Sequence, residues 1–440
     1  MDPLTRRNFL LAGAQGVGLL ALSKFSFALP ASGSHGDGRF VFILLRGALD
    51  GLSAVPPYGD PAYATLREAN AIAPPGAAQG GLKLDNTFAL HPGLAFLHER
   101  YAAGELLVAH AVATAYRERS HFDGQDVLES GMPVPHASAS GWLNRALPTR
   151  KEAGVVLGAN LPLVMRGPAP VASWSPTRLA SLSEDTLQRI TDLYATDALL
   201  GPRLADALSS NAIATGSEMT AAATPAPTPG ADAMQGAATL GAATPGDGSD
   251  ASANGAADRS TVVGKRGGVQ RYAETVRAAA GFLKREDGPR VAVFDTLGWD
   301  THANEGGAEG LLAQRFAALD AGLRELHDAL GPVWNRTAVL LATEFGRTAA
   351  INGTRGTDHG TGAAAFLVGG AVAGGRVLCD WPGLSNRALY QGRDLRPTLD
   401  LRALIKGVLH EQLQVSDRQL EAEVFPDSGA VRRTEGLIRA

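Results

Sequence analysis

The 440-residue sequence contains a single cysteine, Cys379. One thiol cannot form an internal disulfide, so the fold must be held by its hydrophobic core. Hydrophobic residues make up 45% of the chain, which is enough for one large domain or two closely joined ones. The lack of cysteine therefore excludes a small disulfide-stapled scaffold.

The sequence also lacks an excess of positive charge, because its formal net charge is −4 at pH 7. A protein that binds nucleic acid is expected to present a basic face, so we predict no nucleic-acid partner. No P-loop, dinucleotide-binding fingerprint or H-E-x-x-H motif is present. None of these motifs therefore identifies the chemistry of the protein.

Long hydrophobic runs are missing too, and a transmembrane helix needs about 20 consecutive apolar residues. The moderately apolar run at residues 10–22 is shorter and contains Gly and Ala, which disfavours a membrane anchor. It follows the paired arginines Arg6 and Arg7 and precedes a small-residue site at Ala28. This order is typical of a twin-arginine signal, so residues 1–28 predict export by the twin-arginine translocase to the periplasm or another exported location.

Residues 209–264 have a composition of Ala, Thr, Pro, Gly, Ser and Asp with hardly an aromatic residue. Such a segment cannot bury enough apolar surface to offset the entropy lost on ordering. Polar clusters that complete one site occur on both sides of it. We therefore predict a flexible insertion within a single domain that spans residues 29–440.

Several apolar runs show no alternation, which is typical of strands buried on both faces of a parallel sheet. These runs lie at residues 40–45, 106–112, 291–294, 337–342 and 363–368. Helical patterns separate them, notably at residues 86–101, 184–194, 269–285, 307–330 and 396–409. The alternation predicts an α/β fold, namely a three-layer sandwich with a mostly parallel central sheet and crossover helices.

Charged and polar side chains follow these runs. They are Arg46 and Asp50, Arg119 and Ser120, Asp300 and His302, Glu344 and Arg347, and the pair Asp358 and His359 in a Gly- and Thr-rich loop. Ligands of an open α/β sheet bind beyond the carboxyl ends of its strands, and carboxylates with imidazoles suit Zn, Mn or similar ions. In each single cluster the Asp could instead cap a helix and the His could satisfy a loop carbonyl. Clusters at four strand ends favour a hydrolytic metal site.

Ser120 precedes a predicted helix and stands next to Arg119. No G-x-S-x-G elbow surrounds it, which disfavours a serine-hydrolase triad. Backbone amides at a helix start and guanidinium groups stabilise a developing anion, so Ser120 suits attack on a phosphate or sulfate. An N-cap role is equally compatible with its position. Glu344 and Arg347 are likewise either a metal ligand and an anion clamp or one buried salt bridge.

Ordered motifs along the chain carry a resemblance to a known family. They lie at residues 46–51, 119–123, 140–145, 298–302, 343–347 and 357–360. Together they make the chain similar to the twin-arginine-exported family of unknown function DUF1501. That family resembles the alkaline phosphatase and sulfatase superfamily, so the resemblance implies an alkaline phosphatase/sulfatase-like fold.

The resemblance also implies roles for individual residues. Ser120 would be the nucleophile, one metal would be held by Asp300, His302 and His359, and a second by Asp50 and Glu344. The superfamily's late Asp-His pair corresponds to Glu344 and Phe345, so one histidine ligand is missing. The spacing of Asp300 and His302 is tighter than usual, which makes Asp295 an alternative ligand. Either the second metal is bound weakly, or only one metal is bound, or the site has lost its chemistry.

These observations predict an exported, metal-dependent hydrolase of phosphate or sulfate esters with one or two divalent ions (Zn, Mn, Ca or Mg). Its substrate would be a small molecule or an ester on a surface polymer. Ser120 would attack in line, while Arg347 with Arg46 or Arg119 would hold the equatorial oxygens. The alternative is a non-catalytic exported binding or assembly protein on a degenerate hydrolase scaffold, which Phe345 and the long insertion favour.

Overall fold

The computed structural model describes residues 37–147, 154–176, 184–194, 197, 200–215 and 272–439. The predicted signal at residues 1–28 and the predicted insertion from residue 216 onward lie outside this part of the chain. Residues 209–215, which we expected to begin the insertion, complete the helix Leu200–Thr215 instead. Ile213 and Ala214 of this helix pack against the hydrophobic core, which explains why the segment is ordered.

The described strands are β1 Arg39–Arg46, β2 Leu82–Lys83, β3 Ala89–Leu90, β4 Leu106–Ala113, β5 Gly154–Leu157, β6 Val171–Trp174, β7 Val291–Leu297, β8 Thr337–Ala342, β9 Ala363–Val368, β10 Arg376–Leu378 and β11 Leu399–Asp400. The described helices are α1 Gly51–Ala54, α2 Tyr63–Arg67, α3 Ala95–Ala102, α4 His121–Ser130, α5 Trp142–Ala146, α6 Glu184–Tyr194, α7 Leu200–Thr215, α8 at residues 272–284, α9 Leu311–Leu330, α10 Leu401–Leu413 and α11 Asp417–Gln419.

One large sheet has the strand order β10-β4-β9-β8-β1-β7-β5-β6, and β11 also pairs with β4. The ladders are parallel except for the two that β9 forms with β4 and β8. The short strands β2 and β3 form a separate pair. The prediction of an α/β fold with a large, mostly parallel sheet is confirmed, and the sheet is mixed because β9 runs in the reverse direction.

Both faces of the sheet are covered by helices. Alternate residues of β1 enter two different hydrophobic clusters, with Phe40, Phe42 and Leu44 on one face and Val41, Ile43 and Leu45 on the other. Helices α3, α8 and α9 contribute to the cluster on one face, and α5 and α10 to the other. Burial on both faces is why the strand sequences show no polar alternation.

The sheet places one set of strand ends at a common edge. Strands β1, β4, β7 and β8 run in the same direction, so their carboxyl ends share this edge. Strand β9 is antiparallel to its neighbours, so its amino end lies there too. The loop before β9, which carries Asp358 and His359, therefore meets the loops that follow the other strands.

None of the helices in the described ranges combines the length and the apolar character needed to cross a membrane.

Candidate metal centre

Two histidines and an aspartate converge at the common edge of the sheet. His302 Nε2 lies 2.9 Å from Asp300 Oδ1, and His359 Nε2 lies 3.2 Å from the same oxygen. The two imidazole Nε2 atoms are 3.0 Å apart. Asp300 and His302 come from the loop after β7, and His359 from the loop before β9. The structure thus brings these three predicted residues together.

A third histidine, His121, is the first residue of α4. Its Nε2 lies 3.4 Å from Asp300 Oδ2, and its ring centroid is 4.3 Å from that of His359. Donor atoms of His121, Asp300 and His359 all lie within 4.8 Å of one another. We refer to His121, Asp300, His302 and His359 as the histidine cluster.

Hydrogen bonds at the Nδ1 atoms indicate which imidazole nitrogens face the cluster. His359 Nδ1 lies 2.9 Å from the carbonyl oxygen of Arg119, and His121 Nδ1 lies 2.8 Å from Glu344 Oε1. A nitrogen that donates to such an acceptor carries the proton, which leaves the other nitrogen's lone pair free to bind a metal. The hydrogen bonds therefore assign Nε2 of both residues as the metal-facing atom.

The residues of the histidine cluster fit a divalent ion. His121 Nε2 is buried and has no hydrogen-bond partner in the described part of the chain. With metal–ligand distances of about 2.0–2.2 Å, two ligands of one tetrahedral ion lie roughly 3.3 to 3.6 Å apart. The separations of Asp300 from the three histidines and of His302 from His359, which are 2.9 to 3.4 Å, are close to this range. Imidazole with carboxylate is a donor set that Zn, Mn and related ions accept.

Glu344 and Asp358, both predicted as ligands, contact histidines of the cluster. Glu344 is buried, and Asp358 Oδ1 lies 3.3 Å from His302 Nδ1. Asn352 donates to the same Asp358 oxygen at 2.9 Å, and this bond lowers the pKa of Asp358. Carboxylates that bond the far nitrogen of a metal-binding histidine fix its orientation and its tautomer. The structure thus places both carboxylates behind the imidazoles.

The environment of Glu344 keeps its carboxylate ionised. Burial acts to raise its pKa, but hydrogen bonds from His121 and Gln125 and from the backbone of Gly47 outweigh burial and lower it. The same contact with Glu344 raises the pKa of His121. Burial lowers the pKa of His359. A neutral His359 is in the protonation state that a metal ligand requires.

Arg347 holds Asp300 in place. Its side chain is fully buried, and its Nη1 donates to Asp300 Oδ1 at 2.5 Å. The rest of the guanidinium bonds Thr357, through Nε to the hydroxyl at 3.0 Å and through Nη2 to the carbonyl. Burial opposes the shift, but the Arg347 hydrogen bond lowers the pKa of Asp300. Arg347 thus acts on a residue of the histidine cluster and is not a free anion clamp.

The other two predicted clamp arginines also pair with carboxylates. Arg46 donates to Glu129 at 2.7 Å and to Asp295 at 2.6 Å. Arg119 donates to the buried Asp394 at 2.7 and 2.9 Å. Asp295, the alternative ligand, is thus engaged by Arg46.

Asp50 is not brought to the histidine cluster. It caps α1 by accepting from the Leu52 N–H at 3.1 Å, and Arg67 bonds both of its oxygens at 2.6 and 2.7 Å. Burial opposes the shift, but the charge of Arg67 lowers the pKa of Asp50 to about 2. The chain turns into α1 directly at Asp50, and this carries its carboxylate into a buried ion pair.

Ser120 occupies the N-cap position of α4, yet its hydroxyl forms no capping hydrogen bond. Its backbone N–H donates to the hydroxyl of Tyr116 at 3.2 Å. The residues on either side, Arg119 and His121, both contact His359. Ser120 thus lies in the chain between two residues that contact His359, and its hydroxyl has no capping role.

His121 was considered from the sequence only as a partner of Ser120 in a serine-hydrolase triad and was not predicted as a metal ligand. It lies next to Ser120 in the motif at residues 119–123, and a helix start at this edge was predicted there. The position of the imidazole depends on Glu344, which is 223 residues away in the sequence. In the sequence, only the position of His121 next to Ser120 indicated that His121 belongs to the candidate site.

A family model described as "Protein of unknown function (DUF1501)" matches residues 37–425. No curated protein and no solved structure matches the chain.

Proposed function

This chain belongs to the DUF1501 family, and we propose that it is a metal-dependent hydrolase of phosphate or sulfate esters. One observation carries the proposal. The Nε2 atoms of His121, His302 and His359 and the carboxylate of Asp300 converge. The buried Nε2 of His121 lies 3.4 Å from Asp300 Oδ2 but forms no hydrogen bond among the described residues. A buried nitrogen that forms no hydrogen bond destabilises the folded chain, and a bound ion would provide the missing partner.

The residues of the histidine cluster would hold the ion, and surrounding groups would fix them. Glu344 and the Arg119 carbonyl orient His121 and His359, and Arg347 orients the Asp300 carboxylate. A divalent ion bound there would supply Lewis-acid stabilisation of negative charge on an ester oxygen. The chain itself would contribute the Ser120 hydroxyl as nucleophile.

The finer assignment to phosphate or sulfate esters has two supports. The DUF1501 family resembles the alkaline phosphatase and sulfatase superfamily, whose nucleophile precedes a helix. Ser120 precedes α4, whose first backbone N–H groups favour an anion. The alkaline phosphatase-like arrangement of the sheet is part of this proposal.

Metal analysis and an ester screen test the proposal. Purified protein is expected to bind a divalent ion and to hydrolyse p-nitrophenyl phosphate or p-nitrophenyl sulfate when Zn, Mn, Mg or Ca is added. Asp300→Ala should lose both the ion and the activity. Asp295→Ala is the matched control, because Asp295 lies at the same edge but pairs with Arg46. A wild-type protein without bound ion, or an unimpaired Asp300→Ala, would exclude the proposal.

Ser120→Ala separates two versions of the chemistry. If Ser120 is the nucleophile, the variant should keep its ion and lose turnover by roughly a hundredfold or more. If turnover survives, a water molecule attacks in its place.

We also propose that the chain is exported by the twin-arginine route, on the basis of Arg6 and Arg7. Replacing both with lysine should retain the protein in the cytoplasm, as fractionation and immunoblotting would show. Unchanged export of the double variant would contradict this.

A second candidate is a non-catalytic exported protein that binds or assembles cell-surface material. Its support is that Arg46, Arg119 and Arg347 are all paired with carboxylates. The ring of Phe345 stands where the superfamily has a histidine, 5.0 Å from that of His121. Metal binding without turnover of either ester under any ion would favour this candidate.

A further inference from the structure

A cavity of about 300 Å³ opens beside the histidine cluster. Its apolar wall includes Leu66, Leu384 and Leu389, of which the last two are buried in a small hydrophobic cluster of their own. Asn386 and Arg393 are polar residues of its lining. This mixture of an apolar wall with a few polar groups is typical of sites for small molecules, which have volumes of roughly 300 to 1,000 Å³.

The cavity is connected to the histidine cluster through a shared residue. Asp358 lines the cavity, and the same side chain lies 3.3 Å from His302 Nδ1. A ligand in the cavity would therefore lie one residue away from His302. The negative charge of Asp358 is countered there by His302 and by the hydrogen bond from Asn352.

A second connection leads from the cavity toward Ser120. Arg393 lines the cavity and lies 3.3 Å from Asp394 Oδ1. Asp394 is buried and accepts two shorter bonds from Arg119, the residue before Ser120. The cavity is thus joined to the candidate site directly by Asp358, which contacts His302, and indirectly by Arg393, which reaches Arg119 through Asp394.

Arg393 differs from the three arginines that the sequence singled out. Its side chain is 42% exposed, compared with 0% for Arg347, 16% for Arg46 and 22% for Arg119. Asp394 already receives its short hydrogen bonds from Arg119. Arg393 therefore has donors free to reach a ligand, and a guanidinium group matches the geometry of phosphate, sulfate and carboxylate.

Resting on the hydrolase function proposed above, we infer that this cavity binds the organic part of the ester. Arg393 recognises the negative charge of the ester. The ligand class is a small anionic ester whose body, about one ring in size, is partly apolar. Leu66, Leu384 and Leu389 would contact the apolar part. Asn386, which is exposed and forms no hydrogen bond within the described ranges, would contact a polar substituent.

Two variants test the cavity. Arg393→Gln removes the charge, and Ala350→Phe fills the cavity from an exposed position on its lining. Matched controls are Arg387→Gln, which removes a charge from the same loop outside the lining, and Ala77→Phe in another exposed loop. With p-nitrophenyl phosphate and p-nitrophenyl sulfate, Arg393→Gln should raise KM about tenfold, which matches the loss of one charge-assisted contact. Ala350→Phe should also raise KM because its ring occupies the cavity, and kcat should change little in both variants. Arg393→Lys should recover part of the loss.

The outcomes distinguish failure of the cavity from failure of the hydrolase function. If the esters are turned over but Arg393→Gln and Ala350→Phe match their controls, the cavity inference is overturned and the hydrolase remains. If no ester is turned over, calorimetric binding of the same two compounds decides. Binding that both variants weaken supports the cavity without the hydrolase, and no binding by the wild-type protein overturns the cavity inference as well.

Discussion

Each imidazole of the histidine cluster has a fixed orientation because a second group bonds its far nitrogen. Glu344 does this for His121, the Arg119 carbonyl for His359, and Asp358 for His302. Arg119 itself adopts a left-handed backbone conformation with φ of 62°, which is uncommon outside glycine. Unusual backbone at a non-glycine residue is concentrated at functional sites, which agrees with its place beside Ser120.

At the residue scale, His121→Gln should weaken zinc binding by roughly tenfold or more, because an amide replaces an imidazole ligand. The glutamine can still donate a hydrogen bond to Glu344, so the fold should be retained. Zinc titration with a competing chelator measures the change. His136→Gln is the control, since the His136 side chain is 71% exposed and contacts Asp123, which lies on the same helix as His121. Equal zinc affinity in both variants would exclude His121 as a ligand.

Glu305 provides a pH-dependent prediction away from the histidine cluster. Burial and the nearby charge of Asp50 raise its pKa well above the ordinary value. A raised folded pKa means that its stabilising contribution is complete below the unfolded pKa of about 4.3 and is lost as pH rises through the folded pKa. Glu305→Gln cannot ionise, so its stability relative to wild type should increase over this rise in pH.

Urea denaturation of both proteins between pH 5 and pH 9, as a working range around neutrality, measures this difference. Glu309→Gln is the control, because Glu309 is exposed. A constant difference between Glu305→Gln and wild type across the series would show that Glu305 ionises as it does in the unfolded chain.

The sequence predicted which residues gather at the site more successfully than it predicted the role of each residue there. Asp300, His302 and His359 could be predicted because each follows or precedes a buried strand at the common edge. The pairing of Arg119 with Asp394 could not, because these residues are 275 positions apart. Ion pairs of this kind form only when the fold is complete, so a side chain that looks free in the sequence can already have a partner.

At the scale of elements, the reversal of β9 makes the site possible. In an all-parallel sheet, the loop before β9 would lie at the opposite edge from the loops after β7 and β8. The apolar run at residues 363–368 predicted the strand but not its direction, because burial on both faces looks the same either way. Strands β5 and β6 were not predicted, since each has only four residues.

Close backbone contact joins the two ends of the loop at residues 343–362, which connects β8 to β9. The Gly346 N–H donates to the Thr361 carbonyl at 3.0 Å, and the Gly360 N–H donates to the Gly346 carbonyl at 2.8 Å. A Cβ atom added at Gly346 would lie only 1.8 Å from the carbonyl oxygen of Gly362. The absence of a side chain at Gly346 is therefore required for the two ends of this loop to meet.

Gly346→Ala should destabilise the protein by about 1–3 kcal/mol, as overpacking does, and should also weaken metal binding by displacing the neighbouring Arg347. Urea denaturation and zinc titration measure the two effects. Gly353→Ala is the control, because an added Cβ there would have no atom within 4 Å. If both glycine variants behave alike, the loop contact has no role in holding the site.

For the whole molecule, metal binding should increase the free energy of unfolding. An ion that binds only the folded chain at a hundred times its Kd adds about 2.7 kcal/mol to the free energy of unfolding. Chelator-treated protein should therefore show a lower Tm, and Tm should rise with zinc concentration in wild type but not in Asp300→Ala. Differential scanning calorimetry measures Tm at each zinc concentration. A wild-type Tm that does not change with zinc would exclude binding at the histidine cluster.

Because β8 and β9 are antiparallel neighbours joined only by residues 343–362, these two strands can pair early in folding. The remaining donors arrive over much longer stretches of chain, since Asp300 meets His359 across 59 residues and His121 meets Glu344 across 223. We therefore expect a nascent polypeptide to acquire its ion last, after β4 and β7 have docked. A loaded ion would then mark a finished molecule, so a transport system that accepts only finished molecules would carry the ion out with the protein.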